Sequence, residues 1–247
     1  MAGVKRYELI KEGDCIAVCL SGGKDSMLLA KLMQALHKYS SVPFGLKFIV
    51  MNPGYNDENL QKIVYNSRLL NVPINIFESD IFEVVRNAGG SPCYLCARMR
   101  RGNLYSEAEK LGCNKIALGH HLSDVVETTL MGMLFGSQHQ IMMPKLKSQN
   151  FPGMELIRPM YCVAEDAVLA WQRYNSLSFI ACACPLYDEK SASPGKRAEV
   201  KALINRLKLA GDKNVEKSVF NSLHMLNLDT AIAYKKNGVV YSFLEDY

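Results

Sequence analysis

The chain has one tryptophan, Trp171, in 247 residues, and neither sign of charge dominates it. No stretch approaches the roughly 20 apolar residues that a membrane-crossing helix needs. Its net charge of +5, from 29 Lys and Arg against 24 Asp and Glu, permits an anionic partner without demanding one. The opening residues, Met-Ala-Gly-Val-Lys-Arg-Tyr-Glu, lack the apolar centre of a secretory signal. Internal repeats and low-complexity linkers are also missing. These absences predict a cytoplasmic protein without membrane contact, its thiols kept reduced. The 8 cysteines are unevenly spaced in a long chain, which argues against a disulfide framework. Where two of them lie close together, metal or redox chemistry is the better expectation.

Short apolar runs alternate with helix-patterned stretches. Cys15–Leu20, Leu46–Met51, Ile74–Phe77 and Lys115–Leu118 read as buried strands. Helices are predicted after Ser26, from Asp57 to about Leu70, over Ile81–Arg86, Tyr94–Leu111, 124–135 and Ala164–Tyr174, where Trp171 fills core. Such alternation implies a doubly wound parallel α/β sheet, with ligands beyond the carboxyl ends of its strands. Residues 1–14 read as a polar lead-in. Ile141–Lys147 and Glu155–Met160 read as a possible hairpin, and Phe179–Ala183 as a short edge strand. Two basic helical stretches near 196–209 and 213–226 precede a hairpin centred on Asn237-Gly238. This predicts a catalytic domain over residues 1–185 and a small helical C-terminal extension over 186–247.

The first strand stops abruptly in Ser21-Gly22-Gly23-Lys24-Asp25-Ser26, and a helix follows. Strand, glycine turn and helix aim backbone N–H groups at a phosphate, and Lys24 adds a positive charge. The loop is not a Walker A loop. Val18 stands where that pattern needs its first glycine, and Asp25 stands where it needs a hydroxyl. It matches instead the Ser-Gly-Gly-x-Asp-Ser loop of the N-type ATP pyrophosphatases. That resemblance implies a grip on the β- and γ-phosphates while ATP is cut between α and β.

Three further groups carry chemistry. Cys93-Tyr94-Leu95-Cys96 opens a helix, and Cys182-Ala183-Cys184 follows nearly ninety residues later. Three or four thiolates suit zinc or an iron–sulfur cluster, and a redox dithiol is a third reading. Cys15, Cys19, Cys113 and Cys162 lie in apolar patterns and read as small hydrophobes. Arg98, Arg100 and Arg101 follow the first cysteine pair, either as a solvated helix face or as contacts to nucleic-acid phosphates. Gly119-His120-His121 ends the fourth strand, and Asp124 sits one turn into the next helix. The histidines are candidates to reach a phosphate; Asp124 is a candidate to ligate Mg²⁺ or to steady the loop.

Together these residues resemble the tRNA 2-thiocytidine synthetases of the pyrophosphatase-loop superfamily, an adenine nucleotide alpha hydrolase-like fold. The similarity runs over roughly residues 7 to 184. It rests on Gly13-Asp14, Val18 to Ser26, Cys93-x-x-Cys96-x-Arg98-x-Arg100-Arg101-Gly102, Lys115 to His121, Pro144-Lys145-Leu146, Ile157-Arg158-Pro159 and Cys182. The resemblance implies an ATP-dependent tRNA sulfurtransferase that adenylates the 2-oxo group of a cytidine and replaces the oxygen with sulfur. It implies ATP bound by Ser21, Gly22, Gly23, Lys24, Asp25, Ser26, Met51, Gly119, His120 and Asp124, with Lys24 and Asp25 catalytic. Met51 and Asn52, at the end of the second strand, would meet the adenine. Mg²⁺ would sit on Asp25 with help from Asp124, and a [4Fe–4S] cluster on Cys93, Cys96 and Cys182. Arg98, Arg100 and Arg101 would contact the tRNA. Partners would be a sulfur donor, either a cysteine desulfurase or inorganic sulfide, and a second copy in a homodimer. The chain departs from the family at Ser123-Asp124, where two acidic residues are usual, and at Ala181-Cys182-Ala183-Cys184, where Pro-Cys-x-x-Cys is usual; Cys184 competes with Cys182 as third ligand. The resemblance does not extend beyond about residue 186. Two other readings stay open: an amidotransferase or ligase acting on a small molecule, and a non-catalytic, metal-bearing RNA-binding protein.

Overall fold

The computed structural model describes residues 2–87, 92–180 and 195–245. Its framework is a six-stranded sheet ordered β3-β2-β1-β4-β6-β5. The strands are β1 (Cys15–Leu20), β2 (Gly45–Asn52), β3 (Asn75–Glu78), β4 (Lys115–Ala117), β5 (Lys145–Lys147) and β6 (Glu155–Ile157). All neighbouring pairs are parallel except β5 with β6. The expected parallel sheet is therefore present. The hairpin expected near residues 141–160 does not stand apart, because β6 pairs parallel to β4 and extends the sheet.

The helices are α1 (Ala2–Arg6), α2 (Lys24–Tyr39), α3 (Asp57–Leu69), α4 (Ile81–Asn87), α5 (Pro92–Lys110), α6 (Leu122–Gly136), α7 (Glu165–Tyr174), α8 (Lys196–Leu209) and α9 (Val215–Ser222). Two apolar clusters cover the two faces of the sheet. Val18, Leu20 and Val50 pack with Met27, Leu29 and Met33 of α2, while Ala17, Ile49 and Ile116 pack with Leu104 and Ala108 of α5. Alternate residues of one strand thus serve opposite layers. Each fully buried Leu or Ile there contributes about 1.5–3 kcal/mol. Trp171 is partly buried against the first cluster and stacks on Phe179, ring centroids 5.9 Å apart.

Two expectations are met only in part. The polar lead-in is partly helical: it forms α1, too short to show periodicity, with Val4 buried in it and Leu9 buried after it. Of the edge strand expected over Phe179–Ala183, residues 179–180 are not strand and residues 181–183 lie outside the described residues; just before it, Asn66 Nδ2 donates to the Ser178 carbonyl at 2.9 Å and ties this stretch to α3. The boundary expected at 185/186 also lies outside them. Beyond it, Val200, Ile204 and Phe220 share a core with Leu122, Val125, Val126 and Tyr161. At the chain's end β7 (Ala233–Lys236) and β8 (Val239–Ser242) form the expected hairpin. Asn237 and Gly238 have φ of 52° and 86°, the pair of left-handed residues that a type I′ turn requires.

At the amino ends of the strands Lys115 is buried in a knot of polar contacts. Its Nζ lies 2.9 Å from Asp14 and 3.1 Å from Glu155, and donates to the Leu9 carbonyl at 2.9 Å. Burial alone would raise the Asp14 carboxyl; hydrogen bonds from Asn114, the Lys11 backbone and Lys115 outweigh it and hold it below the usual range. This group's stabilisation is present above about pH 3.9 and is lost as pH falls through its lower folded value. Lys115→Met would leave Asp14 buried without its cation. It is expected to cost about 3–5 kcal/mol in urea unfolding, and a cost near zero would show that the knot is not structural.

Candidate active site

At the carboxyl ends of β1 and β4 lies a cavity of about 440 Å³. The loop after β1 forms one wall. Gly22 has φ of 81°, and a Cβ there would strike Ile63 and Ile180. Ser26 braces the loop: its Oγ donates to the Gly23 carbonyl at 2.9 Å and accepts from the Ser21 N–H at 3.2 Å. Gly23 caps α2 without a side-chain hydrogen bond, so the helix's first N–H groups face the loop uncapped. Opposite, a Cβ on Gly119 would sit 3.1 Å from Asp25 C and from Ser26 N. The two strand ends therefore touch through backbone.

Lys24 and Asp25 open α2. Lys24 Nζ lies 3.1 Å from Asp25 Oδ2 and 3.5 Å from Glu165 Oε1. Asp25 Oδ1 is buried without a hydrogen-bond partner; His121 Nε2, at 3.5 Å, stands at the limit of reach. Burial would raise the Asp25 carboxyl, but His121 and Lys24 hold it low. It is an anion with one oxygen unsatisfied, facing the cavity it helps to line.

His121 and Asp124 form a capping box on α6: Asp124 Oδ2 accepts from the His121 N–H at 3.0 Å, and His121 Nδ1 accepts from the Asp124 N–H at 3.4 Å. With Nδ1 accepting, the proton of a neutral His121 sits on Nε2, toward Asp25. Burial opposes a charge on His121, yet Asp25 and Asp124 raise its pKa. Its neighbour behaves oppositely. His120 Nδ1 accepts from Arg158 Nε at 3.3 Å, and burial with Arg158 nearby pushes His120 down to about 4. The two adjacent histidines are thus shifted in opposite directions, and His120 is a neutral imidazole at neutral pH.

Met51 is buried and lines the cavity at the end of β2. Asn52 is used differently: its Oδ1 accepts from the Gly54 and Tyr55 N–H groups at 3.2 and 2.8 Å and builds the turn. Along α5, Ala97, Arg100, Arg101 and Leu104 line the cavity, the i, i+3, i+4, i+7 face of a helix. Arg100 Nε is buried without a partner. Arg98 lies outside this face and is exposed. Cys96, one residue before Ala97, is a free, half-buried thiol. Cys93 stands one turn earlier on α5, so the two share a face. Cys182 and Cys184 lie outside the described residues. The chain reaches them from Ile180, which packs against Gly22.

Several residues of the site carry no local sequence signal. Glu165 at the start of α7 meets Lys24; Arg197 of α8 meets Asp124; Lys201 of α8 meets Glu165. Cys19 lines the cavity as a buried thiol whose pKa burial raises, which leaves it unreactive. A second cavity, about 500 Å³, opens between α6 and α8 and shares Arg197 with the first.

Similarity to known proteins agrees with this geometry. A family model described as the PP-loop domain matches residues 4–184. The chain belongs to the PP-loop proteins. It is 37% identical over 204 residues to the tRNA-cytidine(32) 2-sulfurtransferase of Syntrophotalea carbinolica, covering 81% of this chain and 77% of that protein. The enzyme of the same name from Geobacter sulfurreducens is 36% identical, covering 74% and 72%. The one from Photobacterium profundum is 37% identical over 72% of this chain, and the match spans 60% of its own length. Within the PP-loop proteins, the chain is a member of the tRNA-cytidine(32) 2-sulfurtransferase family. In structure it is similar to the U34-tRNA thiolase NcsA of Methanococcus maripaludis, solved with its [4Fe–4S] cluster: TM-score 0.68, 21% identity, 92% of this chain and 78% of that one. At that identity the likeness speaks for the fold.

Two outcomes follow from the geometry. Gly119→Ala pushes a methyl group into backbone that cannot swing aside, and is expected to weaken nucleotide binding at least about tenfold in equilibrium titration. Because the folded pKa of His121 is raised, its stabilisation is full below about pH 6.5 and is lost as pH rises through the folded value. His120, lowered to about 4, acts oppositely and destabilises the fold as pH falls from about 6.5 toward 4. Urea midpoints measured from pH 4 to 8 should lose the alkaline slope in His121→Gln and the acid slope in His120→Asn. Parallel curves for wild type and variants would refute both assignments.

Proposed function

We propose that the protein is an ATP-dependent tRNA sulfurtransferase that replaces the 2-oxo group of a cytidine by sulfur. One observation carries the reading: the phosphate loop and the helix bearing the Cys-x-x-Cys pair open into the same cavity. A small-molecule ligase has no use for that helix, and a non-catalytic RNA binder has none for the loop. The relatives' printed names place their cytidine at tRNA position 32.

A carbonyl oxygen is a poor leaving group, and the chain's residues are arranged to replace it with a better one. The cytidine O2 attacks the α-phosphorus of ATP; the bond between that phosphorus and the bridging oxygen to the β-phosphate breaks, and pyrophosphate departs with the electron pair. The Ser21–Ser26 backbone and Lys24 hold the departing pyrophosphate where negative charge grows. His120, neutral, offers a polar contact to the nucleotide without adding a cation. Met51 lies against the adenine. Arg100, with its unpartnered Nε, and Arg101 take tRNA phosphates, and Arg98 extends that contact on the outer face. A sulfur nucleophile then attacks C2, and AMP leaves with the former carbonyl oxygen.

The residues fit two bound groups. Asp25, with Oδ1 unpartnered, fits Mg²⁺, which takes one or two carboxylates with the rest of its shell from phosphates and water. Asp124 has both oxygens engaged, by the α6 cap and by Arg197, and assists by steadying His121 beside Asp25. Cys93 and Cys96 on one turn of α5, with Cys182 beyond Ile180, are a soft donor set suited to a [4Fe–4S] cluster. When bound, such a cluster supplies an open iron for the sulfur species. The sulfur comes from a cysteine desulfurase or inorganic sulfide, and the working unit is a homodimer. The reaction belongs in the cytoplasm, where tRNA and ATP are; among the described residues no helix is long and apolar enough to cross a membrane.

Nucleosides from tRNA of a strain lacking the protein should lose 2-thiocytidine in mass spectrometry, and unchanged thionucleosides would point to another acceptor. Purified protein with tRNA should release AMP and pyrophosphate; ADP and phosphate would rule out the mechanism. Anaerobically prepared protein should be brown, and Cys96→Ser should remove the colour. Colourless protein with stoichiometric zinc would sink the cluster.

A further inference from the structure

Two carboxylates, Asp25 and Asp124, line the cavity where a triphosphate must sit, and two more, Glu165 and Glu127, share cations with them. A polyanion would be repelled there unless cations from the chain offset them. Lys24 offsets Asp25 only in part, because Glu165 also draws it, at 3.5 Å. Besides Arg100 and Arg101 of α5, the cations there come from α8, and it is the α8 pair that meets these carboxylates; α8 lies beyond the residues matched to the PP-loop domain.

Arg197 Nη1 lies 2.9 Å from Asp124 Oδ1 and 3.5 Å from Glu127 Oε2, and its Nη2 donates to Thr128 Oγ1 at 3.1 Å. One turn on, Lys201 Nζ lies 2.6 Å from Glu165 Oε2, whose other oxygen faces Lys24. The i, i+4 spacing puts both cations on the face of α8 toward the site. That face is fixed by packing: Val200 and Ile204 are buried against α6, and the Lys196 ammonium lies 4.4 Å from the centre of the Phe135 ring. Arg197 itself lines the nucleotide cavity.

We infer that α8 completes the ATP site, Arg197 and Lys201 being positioning residues that neutralise Asp124 with Glu127 and Glu165, and so leave Lys24 free for the pyrophosphate. The inference rests on the proposed ATP-dependent function. Without Lys201, Glu165 has Lys24 as its remaining cation in reach and pulls its ammonium off the phosphates. Without Arg197, buried Glu127 and its neighbour Asp124 lose the cation they share and keep only the weaker influence of Lys201, which is engaged by Glu165.

The test is direct equilibrium titration of ATP with magnesium into the full chain, alongside AMP-release kinetics and thermal melting. Arg197→Ala and Lys201→Ala should each weaken ATP binding about five- to tenfold and raise the ATP KM more than they lower kcat. Arg197→Lys should recover part of the loss. The discriminating variant is Glu165→Gln in the Lys201→Ala background: with the carboxylate gone, its partner is no longer needed, and binding should return toward wild type. A structural role would leave the double variant no better than the single one, and that result overturns the inference. Unchanged ATP binding in both single variants overturns it too. Wild-type protein that binds no ATP refutes the underlying function and the inference with it. If Arg197→Ala melts far below wild type, the Lys201→Ala and Glu165→Gln pair decides the matter alone.

Discussion

Backbone touching backbone is the contact on which the site depends. Gly119 lies so close to Asp25 and Ser26 that a side chain there would push the end of β4 and the start of α2 apart. That closeness follows from the parallel pairing of two neighbouring strands, Ile16 beside Lys115 and Val18 beside Ala117. It sets the histidines that follow Gly119 against the carboxylate that follows Lys24. His121 reaches Asp25 because of this contact, and with it come the opposite protonation behaviours of His120 and His121.

Around that fixed point, charge is supplied from three directions. The loop gives one lysine. Helix α5 gives Arg100 and Arg101 from the side of the cysteines. Helix α8 gives Arg197 and Lys201 from the side of α6. Acidic groups are interleaved with Lys24 and the α8 cations, so that side of the site holds paired charges rather than a bare positive field. Pairing limits the desolvation cost while the cavity is empty. It also orients each side chain before a substrate arrives, which is what electrostatic stabilisation of a transition state demands.

Much of this was legible in the sequence because it is local. A strand, a glycine turn and a helix lie within thirty residues, and their periodicities agree. Asn237-Gly238 names its own turn. The division between Arg98 outside and Arg100 with Arg101 inside follows from helical spacing, once one knows which face of α5 meets the sheet. Asn52 shows the limit at short range: a residue at a strand end is as ready to bind its own turn as a ligand, and here its side chain serves the turn. Glu165, Arg197 and Lys201 show the limit at long range. Each is an ordinary charged residue near a helix start, and its partner is decided by packing of apolar faces more than thirty residues away. Helix α1 was hidden by its shortness.

The outer strand of the sheet has a further consequence. β5 is three residues, Lys145-Leu146-Lys147, running against the direction of its neighbour. At the other rim β3 has four residues. A second molecule trying to extend either rim would find few free peptide groups, and at β5 would bring lysines up against identical lysines. The sheet therefore terminates itself, so strand-by-strand growth between copies is discouraged by the same short segment that closes its edge.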